Sequence, residues 1–421
     1  MDDLLEILTV SSLAFLLLYL FQINRLLSGT PEEVRRLSPT RWTEETLIET
    51  YKNLEKSPIT TETYAGQLPP KLDRRYIVTG GSGLVGGHIV LELLARGQSP
   101  GSICIIDYQK PHRHDMLAGP ASDVDFVQPD ISSSESTHKA FSRLWPPSVA
   151  HLPLTVFHKA ARAGADILLS TTSGSIAIPP VHLWVPPWKM RSTWPQNFWH
   201  VLDEADFFKP LRPHEDYYAN YPVFKAAAER IVRESNAADF RTGCIRPANG
   251  VYGNPTDNTV GGSLFRTVFP EWTDHIVQNF VHGANAAIAH LQFEALLTSP
   301  ASASRPQAGR PFTVTDPNPP ITYGDLYYAL SLISATRFRP VRLPPVLLLL
   351  PSYPIEWYTL LLARSSIARR FLPRLRGDIQ HLKPALFSIT THLVATYEAA
   401  ILTTLDGMVQ EVVKWNHETY G

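Results

Sequence analysis

Tyr221 and Lys225 lie four residues apart in the alanine-rich segment ANYPVFKAAAERIV, whose composition is typical of a helix. Spacing of i and i+4 places both side chains on one helical face. A tyrosine with its ordinary pKa of about 10 is a poor base at neutral pH. A nearby ammonium favours the phenolate, so we expect Lys225 to lower the pKa of Tyr221 and make it a general base. Tyr217 and Tyr218 have no lysine four residues later.

A serine ends the apolar run ADILLSTTS, whose composition is typical of a buried strand. Ligands of α/β proteins bind at the carboxyl ends of such strands. We therefore expect this residue, Ser173, to hydrogen-bond the reacting oxygen and hold it toward Tyr221. Thr171, Thr172 and Ser175 compete for this role, and the alternative interpretation is an ordinary turn rich in hydroxyl groups.

The elements that position these residues begin with a strand, a glycine-rich turn and a helix. The β-rich run YIVT is followed by four glycines and then by IVLELLARG, which has the apolar pattern of a helix. These glycines are Gly80, Gly81, Gly83 and Gly86. Glycines in this context permit a tight turn and the close approach of a pyrophosphate, and the helix N-terminus supplies free N–H groups. The pattern predicts dinucleotide binding, with Gly80, Gly83 and Gly86 in contact with the cofactor; the alternative is a turn that only packs.

Acidic residues end the next two predicted strands. SICIID ends at Asp107, about twenty residues beyond the glycines, where an acid binds both ribose hydroxyls and repels a 2′-phosphate. The cofactor is therefore predicted to be NAD rather than NADP. VDFVQPD ends at Asp130, which together with Ile131 is placed for the adenine side of the pocket. We predict an α/β fold with a Rossmann-type, doubly wound parallel sheet.

The overall composition is that of a globular protein. The chain has 421 residues, of which 44% are hydrophobic, and a net charge of −1. This balance points to no nucleic-acid partner, and no metal site is predicted. Cys104 and Cys244 lie in apolar runs, so we interpret them as small core residues rather than a disulfide, which fits a reducing compartment.

The N-terminus contains an apolar run, Leu4 to Ile23, that carries one charged residue, Glu6. As a helix it would cover about 30 Å, the thickness of a hydrocarbon core. A cleaved signal peptide is the alternative, but the residues before the run are acidic and no clear cleavage site follows. We predict a membrane anchor over residues 1–28. Arginines follow it, which places the rest of the chain in the cytosol.

A second apolar block spans Pro344 to Ala363 and contains several prolines, so a clean second span is not expected. Five arginines follow it: Arg364, Arg369, Arg370, Arg374 and Arg376. This combination is typical of a helix on a membrane surface; the alternative is a helix packed on the main domain. Residues 29–70 are polar and are interpreted as a linker or stalk.

From about residue 74 to the C-terminus, the sequence resembles the extended short-chain dehydrogenases, and more narrowly the 3β-hydroxysteroid dehydrogenase family, which includes sterol-4α-carboxylate 3-dehydrogenases. The matching stretches are TGGSGLVG, IID, VFHKAA, STTSGSI, YPVFK, CIRPANGVYGNP, FVHGANAAIAHL, PFTVTDPNPPITYGDL and TTLDGMVQEVVKWN. The resemblance implies a Rossmann domain over residues 71–320 and a substrate-binding, membrane-associated region over 321–421.

The resemblance also implies roles for individual residues. Tyr221 would take the hydroxyl proton, Lys225 would hold the nicotinamide ribose, and Ser173 would orient the substrate. Pro247 would line the nicotinamide pocket. The implied activity is NAD-dependent oxidation of the 3β-hydroxyl of a sterol or related terpenoid, with loss of carbon dioxide where a 4-carboxylate is present. An endoplasmic reticulum membrane location and a homodimer are implied as well.

Two departures from the family pattern bear on these expectations. His282 lies in FVHGANAAIAHL, where Gly283, Ala284 and Asn285 replace a motif that usually carries an acid, so support of that loop is in question. The runs LTVFH and ADILLS look like neighbouring parallel strands, yet only residues 159–164 separate them, whereas a crossover needs about a dozen residues. A crossover helix is therefore predicted to be missing, and a second shortfall occurs near residue 400.

Two explanations of the short crossover remain open: a gene-model or splice product, or a divergent protein whose sheet closes differently. A further segment, Pro179 to Pro213, is rich in tryptophan and proline and is expected to give flat apolar walls to a rigid substrate. An ordinary packed loop is the alternative. The alternative functions are a terpenoid oxidoreductase of secondary metabolism and a truncated, non-catalytic membrane protein.

Overall fold

The structure is a computed structural model of the chain. It describes residues 2–130, 133, 135–136, 149–151, 164–190, 193–255, 257–299, 301–302, 306–375, 391–395 and 401–420.

The α-helices of the described residues are α1 (Asp2–Leu27), α2 (Glu32–Leu37), α3 (Glu44–Lys56), α4 (Thr61–Tyr64), α5 (Leu84–Ala95), α6 (Asn220–Glu234), α7 (Gly261–Leu264), α8 (Gly283–Thr298), α9 (Tyr323–Ile333), α10 (Pro345–Arg364), α11 (Ser366–Phe371) and α12 (Thr404–Tyr420). The strands are β1 (Tyr76–Thr79), β2 (Ile103–Ile106), β3 (Asp125–Val127), β4 (Val149–His151), β5 (Ile167–Thr171), β6 (Trp199–Leu202), β7 (Arg241–Pro247), β8 (Val251–Tyr252), β9 (Val268–Glu271), β10 (Val277–Gln278), β11 (Val281–His282), β12 (Pro311–Val314), β13 (Ile321–Thr322), β14 (Arg339–Arg342) and β15 (His392–Ala395).

A seven-stranded parallel sheet forms the centre of the molecule. Its strand order is β12-β7-β5-β4-β1-β2-β3, so the chain order reverses between β1 and β4. In such sheets, ligands bind in the crevice outside the carboxyl ends of the strands at this switch point. The predicted α/β fold with a Rossmann-type sheet is confirmed.

Both faces of the sheet are covered, because alternate strand residues point to opposite sides and both sets are apolar. On one face, Val78 packs with Leu93 of α5 and Phe293 of α8. On the other, Ile77 packs with Val232 of α6. Burial of an aliphatic side chain of this size contributes about 1.5–3 kcal/mol before entropic costs.

Both cysteines lie in this core, as predicted. Cys104 in β2 and Cys244 in β7 are buried and free. Burial raises the pKa of the Cys104 thiol to about 12 and raises that of Cys244 as well. Both thiols therefore stay protonated at neutral pH and act as small core side chains.

The strand beside β5 differs from the expected one. β4, at Val149–His151, pairs with both β1 and β5, whereas the predicted run at 154–158 lies outside the described residues. The connection from β4 to β5 therefore comprises residues 152–166, a longer stretch than the six residues that raised the question of a missing crossover. Most of that connection, and the second shortfall near residue 400, also lie outside the described residues.

Residues 29–70 are part of the folded body, so the linker interpretation requires correction. They contain α2, α3 and α4, and the apolar side chains of α3 face the C-terminal region. Leu47 and Leu54 of α3 are buried in a cluster with Val409 of α12. Tyr64 is buried against Ile288 of α8.

The C-terminal region contributes a mixed four-stranded sheet in the order β13-β10-β15-β6. β15 pairs in parallel with β6, and β10 pairs antiparallel with β13. Its strands come from four separate parts of the chain, β6 and β10 before the boundary predicted at residue 321 and β13 and β15 after it.

Two helical stretches of the described residues, Leu4–Leu37 and Pro345–Arg364, are long and apolar enough to cross a membrane by length and composition. The apolar window of the first is wholly exposed. The prolines of the second do not divide it as expected: Pro351 and Pro354 lie inside a continuous α10. Each proline removes one backbone hydrogen bond, and the remaining bonds keep the helix intact.

Candidate active site

The glycine turn connects β1 to α5 and is shaped by close backbone contacts. Gly80 has a positive φ of 69°, a conformation that favours glycine. A Cβ atom on Gly86 would lie 2.2 Å from the carbonyl oxygen of Gly80, so no larger residue fits there. A Cβ atom on Gly80, in contrast, would meet open space. The turn therefore presents bare backbone at the N-terminus of α5, which suits a pyrophosphate.

Asp107 follows β2, as the sequence predicts, and its carboxylate is buried. Ser82 N–H donates to one carboxylate oxygen at 3.0 Å, and Tyr108 N–H donates to the other at 2.7 Å. The side chain thus ties the glycine turn to the end of β2. Each carboxylate oxygen has a further acceptor site for a ribose hydroxyl.

The glycine turn has a second support that the sequence motifs do not reveal. Arg113 is buried and donates from Nη1 to the carbonyl oxygens of Gly83 at 3.3 Å and Leu84 at 3.0 Å. Asp115 neutralises the guanidinium, with 2.6 Å between Nη2 and Oδ2. Arg113 lies about thirty positions after Gly83, and no local pattern in the sequence indicates that they meet.

On the predicted adenine side, Asp130 is exposed beyond the end of β3. Its backbone N–H donates to Ser136 Oγ at 2.9 Å. Ile131 lies outside the described residues. Residues 158–161, part of the matching stretch VFHKAA, also lie outside them.

Ser173 and Tyr221 are brought together as expected. β5 ends at Thr171 and leads into a short 3-10 helix, Gly174–Ala177, for which Ser173 is the N-cap. Tyr221 lies in the first turn of α6, and Ser173 hydrogen-bonds its hydroxyl. Burial raises the pKa of Tyr221, and the interaction with the Ser173 side chain opposes that rise. About half of the Tyr221 side chain nevertheless stays exposed, at 52%.

Lys225 lies one turn along α6, with Nζ 5.6 Å from the centre of the Tyr221 ring. Its ammonium donates to the carbonyl oxygen of Thr171 at 3.0 Å. Burial lowers the pKa of Lys225. The expected lowering of the Tyr221 pKa by Lys225 is absent, because burial dominates at the phenol and the ammonium is engaged by Thr171.

The three competing hydroxyl groups have other partners. Thr171 Oγ1 lies 3.0 Å from His290 Nε2, and Thr172 Oγ1 donates to Glu229 Oε2 at 3.0 Å. Ser175 hydrogen-bonds Tyr218, and its Oγ accepts from Ser173 Oγ at 2.9 Å. Of these hydroxyl groups, Ser173 is the one that interacts with the hydroxyl group of Tyr221.

A buried ionic network supports the serine turn, which we define as residues 171–175. Arg246 in β7 is fully buried, and its guanidinium pairs with Glu229 of α6 and with Asp206. Glu229 in turn accepts from Thr172 within the serine turn. The network therefore fixes α6, and with it Tyr221, relative to the end of β5. The sequence does not indicate this network, because its members are far apart in the chain.

Pro247 ends β7, and its carbonyl oxygen lies 3.2 Å from the position that a Cβ atom on Gly174 would take. The predicted nicotinamide-side residue is thus adjacent to the serine turn.

The loop that contains His282 keeps its support despite the altered motif. Asp316 accepts from His282 N–H at 2.7 Å and from Asn285 Nδ2 at 2.7 Å.

Two stretches of the chain match protein-family models. Residues 76–175 match the NAD dependent epimerase/dehydratase family. Residues 209–340 match the 3-beta hydroxysteroid dehydrogenase/isomerase family. The first stretch contains the glycine turn and Ser173, and the second contains Tyr221 and Lys225. Among curated proteins, no sequence matches the chain.

Several solved structures resemble the fold. The UDP-glucose 4-epimerase of Thermotoga maritima, determined with UDP-glucose, has a TM-score of 0.51 at 14% identity and covers 82% of this chain and 100% of its own. Epimerase Mth375 of Methanothermobacter thermautotrophicus has a TM-score of 0.51 at 13% identity and covers 85% of this chain and 96% of its own. MoeE5, determined with UDP-glucose and NAD, has a TM-score of 0.50 at 11% identity and covers 82% of this chain and 100% of its own. At these identities the similarity shows the fold alone.

Proposed function

We propose that this chain oxidises the 3β-hydroxyl group of a sterol or related terpenoid. Its matches to the epimerase/dehydratase and hydroxysteroid dehydrogenase family models support a place in the extended short-chain dehydrogenase/reductase superfamily, as an NAD-dependent oxidoreductase or epimerase. The observation that carries the proposal is the placement of Ser173 and Lys225 beside Tyr221: Ser173 caps the turn that follows β5, and Lys225 Nζ lies 5.6 Å from the centre of the Tyr221 ring. These groups lie at the carboxyl edge of the same sheet that carries the glycine turn.

In this proposal, Tyr221 removes the proton from the substrate hydroxyl, and Ser173 holds the substrate oxygen beside it. The raised pKa of Tyr221 favours the neutral phenol, so the base form needs support from its neighbours. Lys225 can supply that support if a bound ribose draws its ammonium away from the Thr171 carbonyl. NAD, when bound, supplies the acceptor for the hydride of the carbinol carbon.

The residues present fit NAD. The bare backbone of Gly80 and Gly86 at the start of α5 suits the pyrophosphate, and the buried carboxylate of Asp107 disfavours a 2′-phosphate. Pro247, next to the serine turn, would border the nicotinamide. Asp130 and Ile131 stay proposals for the adenine side.

The sterol class is supported by two features of the chain. The stretch that matches the hydroxysteroid family contains Tyr221, Lys225 and Pro247. The tryptophan- and proline-rich segment follows the serine turn directly and offers flat apolar side chains. A substrate that carries a 4-carboxylate would become a β-keto acid on oxidation and would lose carbon dioxide readily.

We also propose that α1 is a retained anchor in the endoplasmic reticulum membrane, with the enzyme domain in the cytosol. Its last turn supports this reading, because Ile23, Leu26 and Leu27 are buried against the protein. Cleavage of α1 as a signal peptide would uncover that apolar contact.

The test is NADH formation by the full-length protein in detergent, across a panel of sterol 3β-alcohols, sterol 4-carboxylates and other terpenoid alcohols. Conversion of UDP-glucose is followed separately, because its 4-epimerisation forms no net NADH. Tyr221→Phe should lower turnover about 10²–10⁴-fold, the usual contribution of a general base. Tyr217→Phe is the matched control, because that ring packs under Arg212. Turnover of UDP-glucose with none of any sterol, or full activity of Tyr221→Phe, would contradict the proposal.

A further inference from the structure

Part of the tryptophan- and proline-rich segment packs against the base of α1. We define the tryptophan loop as residues 181–190 and 193–198. Val181, Val185 and Phe198 of this loop form a buried cluster with Ile23 and Leu26 of α1. The loop is therefore attached to the last turns of the proposed membrane anchor.

The loop also carries two of the most exposed tryptophans. Trp184 is 69% exposed and Trp188 is 80% exposed. The ring centre of Trp184 lies 5.4 Å from that of Tyr19 in α1. Tyr19 lies inside the apolar run, which ends at Ile23, and is therefore about 6 Å from its end along the helix. A bilayer that covers the apolar run of α1 would therefore reach Trp184 at its boundary.

The beginning of α10 lies at the same place. Val346 N–H donates to Asn24 Oδ1 at 3.1 Å, and Leu349 packs on the shared cluster. Exposed apolar side chains follow along α10 at intervals of three or four residues, which places them on one face. They are Leu347, Leu350, Tyr353, Trp357 and Leu360. Arg364, Arg369 and Arg370 follow this face and complement the negative charge of anionic lipids.

We propose that the tryptophan loop and the exposed face of α10 lie in the interface of a phospholipid bilayer, and that the loop admits an apolar substrate from the bilayer to the active site. Tryptophan and tyrosine prefer the boundary between headgroups and acyl chains, because one end of each ring is apolar and the other polar. The chain runs from Ser173 through the 3-10 helix Gly174–Ala177 directly into this loop. The entry role rests on the proposed function; the lipid contact does not.

The lipid contact can be tested with the full-length protein in vesicles of phosphatidylcholine and phosphatidylserine. Because both native cysteines are buried, a nitroxide label can be directed to Trp184→Cys or Trp188→Cys. Leu117→Cys, at a position that is 56% exposed, serves as the control away from α1. The labels at 184 and 188 should collide more often with oxygen than with a water-soluble nickel complex, and the label at 117 should do the reverse. Equal nickel accessibility at all three positions would overturn the proposal.

The entry role is tested with the double variant Trp184→Ser/Trp188→Ser. For a sterol alcohol, the ratio of the apparent KM in vesicles to the KM in detergent micelles should rise about tenfold, because any loss of direct substrate contacts affects both measurements equally. An unchanged ratio would refute entry through the loop. If the wild-type protein turns over no sterol, the entry role falls with the proposed function, and the label measurement still decides the lipid contact.

Discussion

The glycine turn and the serine turn lie at the same edge of the sheet but are built in different ways. In the glycine turn, backbone atoms approach so closely that Gly86 has no room for a Cβ atom. The serine turn is held by side chains from other elements: Lys225 on the Thr171 carbonyl, and Arg246 through Glu229 on Thr172. The first turn depends on the absence of side chains, and the second depends on their presence. Substitutions should therefore affect the two turns differently.

The largest effect is expected from Gly86→Ala in the glycine turn. The new methyl group would lie 2.2 Å from the Gly80 carbonyl oxygen and 2.7 Å from its carbonyl carbon, so the turn must move. We expect NAD affinity to fall about a thousandfold or more, as measured by titration calorimetry. Gly101→Ala is the matched control, because a Cβ atom there meets nothing within 4 Å. Similar affinities for the two variants would show that the turn does not bind the cofactor.

The support of the serine turn is probed by Arg246→Met. This change leaves Glu229, which is 3% exposed, without its buried cationic partner. Loss of one partner of a buried pair costs about 3–5 kcal/mol, so the free energy of unfolding should fall by that amount in urea titrations. Arg35→Met, which removes an exposed pair with Glu32, should have little effect. Equal stabilities of the two variants would refute a supporting role for the network.

The helix that follows the glycine turn contains a titrating group, Glu92. Burial raises the pKa of this carboxyl to about 7, and Tyr64 donates a hydrogen bond to it at 2.6 Å. The pKa of the Glu92 carboxyl in the folded protein exceeds its unfolded value of 4.5. The stability contributed by the protonated carboxyl is therefore complete below pH 4.5 and is lost as the pH rises toward 7. Across this pH range, the free energy of unfolding of Glu92→Gln should rise by about 3 kcal/mol relative to that of the wild-type protein. A constant difference in unfolding free energy from about pH 5 to about pH 8 would contradict this.

The smallest expected effect is a change in pH dependence for Ser173→Ala. The interaction with Ser173 lowers the pKa of Tyr221, so removal of the hydroxyl group leaves the effect of burial unopposed. The acidic limb of kcat/KM for alcohol oxidation should move to higher pH, because the base form of Tyr221 appears later. Ser175→Ala should move it less, and a larger shift in that variant would assign the role to Ser175.

The same comparison explains what the sequence could predict. The glycine turn, its flanking strand and helix, and Asp107 depend on neighbours in the chain, and their pattern predicts them. The i, i+4 spacing likewise predicts that Tyr221 and Lys225 share a face of α6. The direction of the Tyr221 pKa shift is not predictable in this way, because it depends on burial in the folded chain and on the Thr171 carbonyl, about fifty residues away, which engages Lys225.

Other features depend on tertiary packing and escaped prediction for that reason. β4 has only three residues, too short for a periodic signal. The pairs of Arg113 and Arg246 join residues that no local pattern connects. The packing of α3, in contrast, had a usable signal: Leu47, Tyr51 and Leu54 follow the i, i+4, i+7 spacing of an amphipathic helix. That spacing argues against a free linker.

The central claim is that Tyr221, assisted by Ser173 and Lys225, removes a proton from a sterol hydroxyl while hydride passes to NAD. It is tested most directly with a sterol 3β-alcohol that carries deuterium on the carbinol carbon. We expect the full-length protein to form one singly deuterated NADH per ketone, detected by mass spectrometry, and Tyr221→Phe to slow this transfer about 10²–10⁴-fold. Absence of label in NADH from every sterol alcohol, in a protein that binds NAD, would contradict the account.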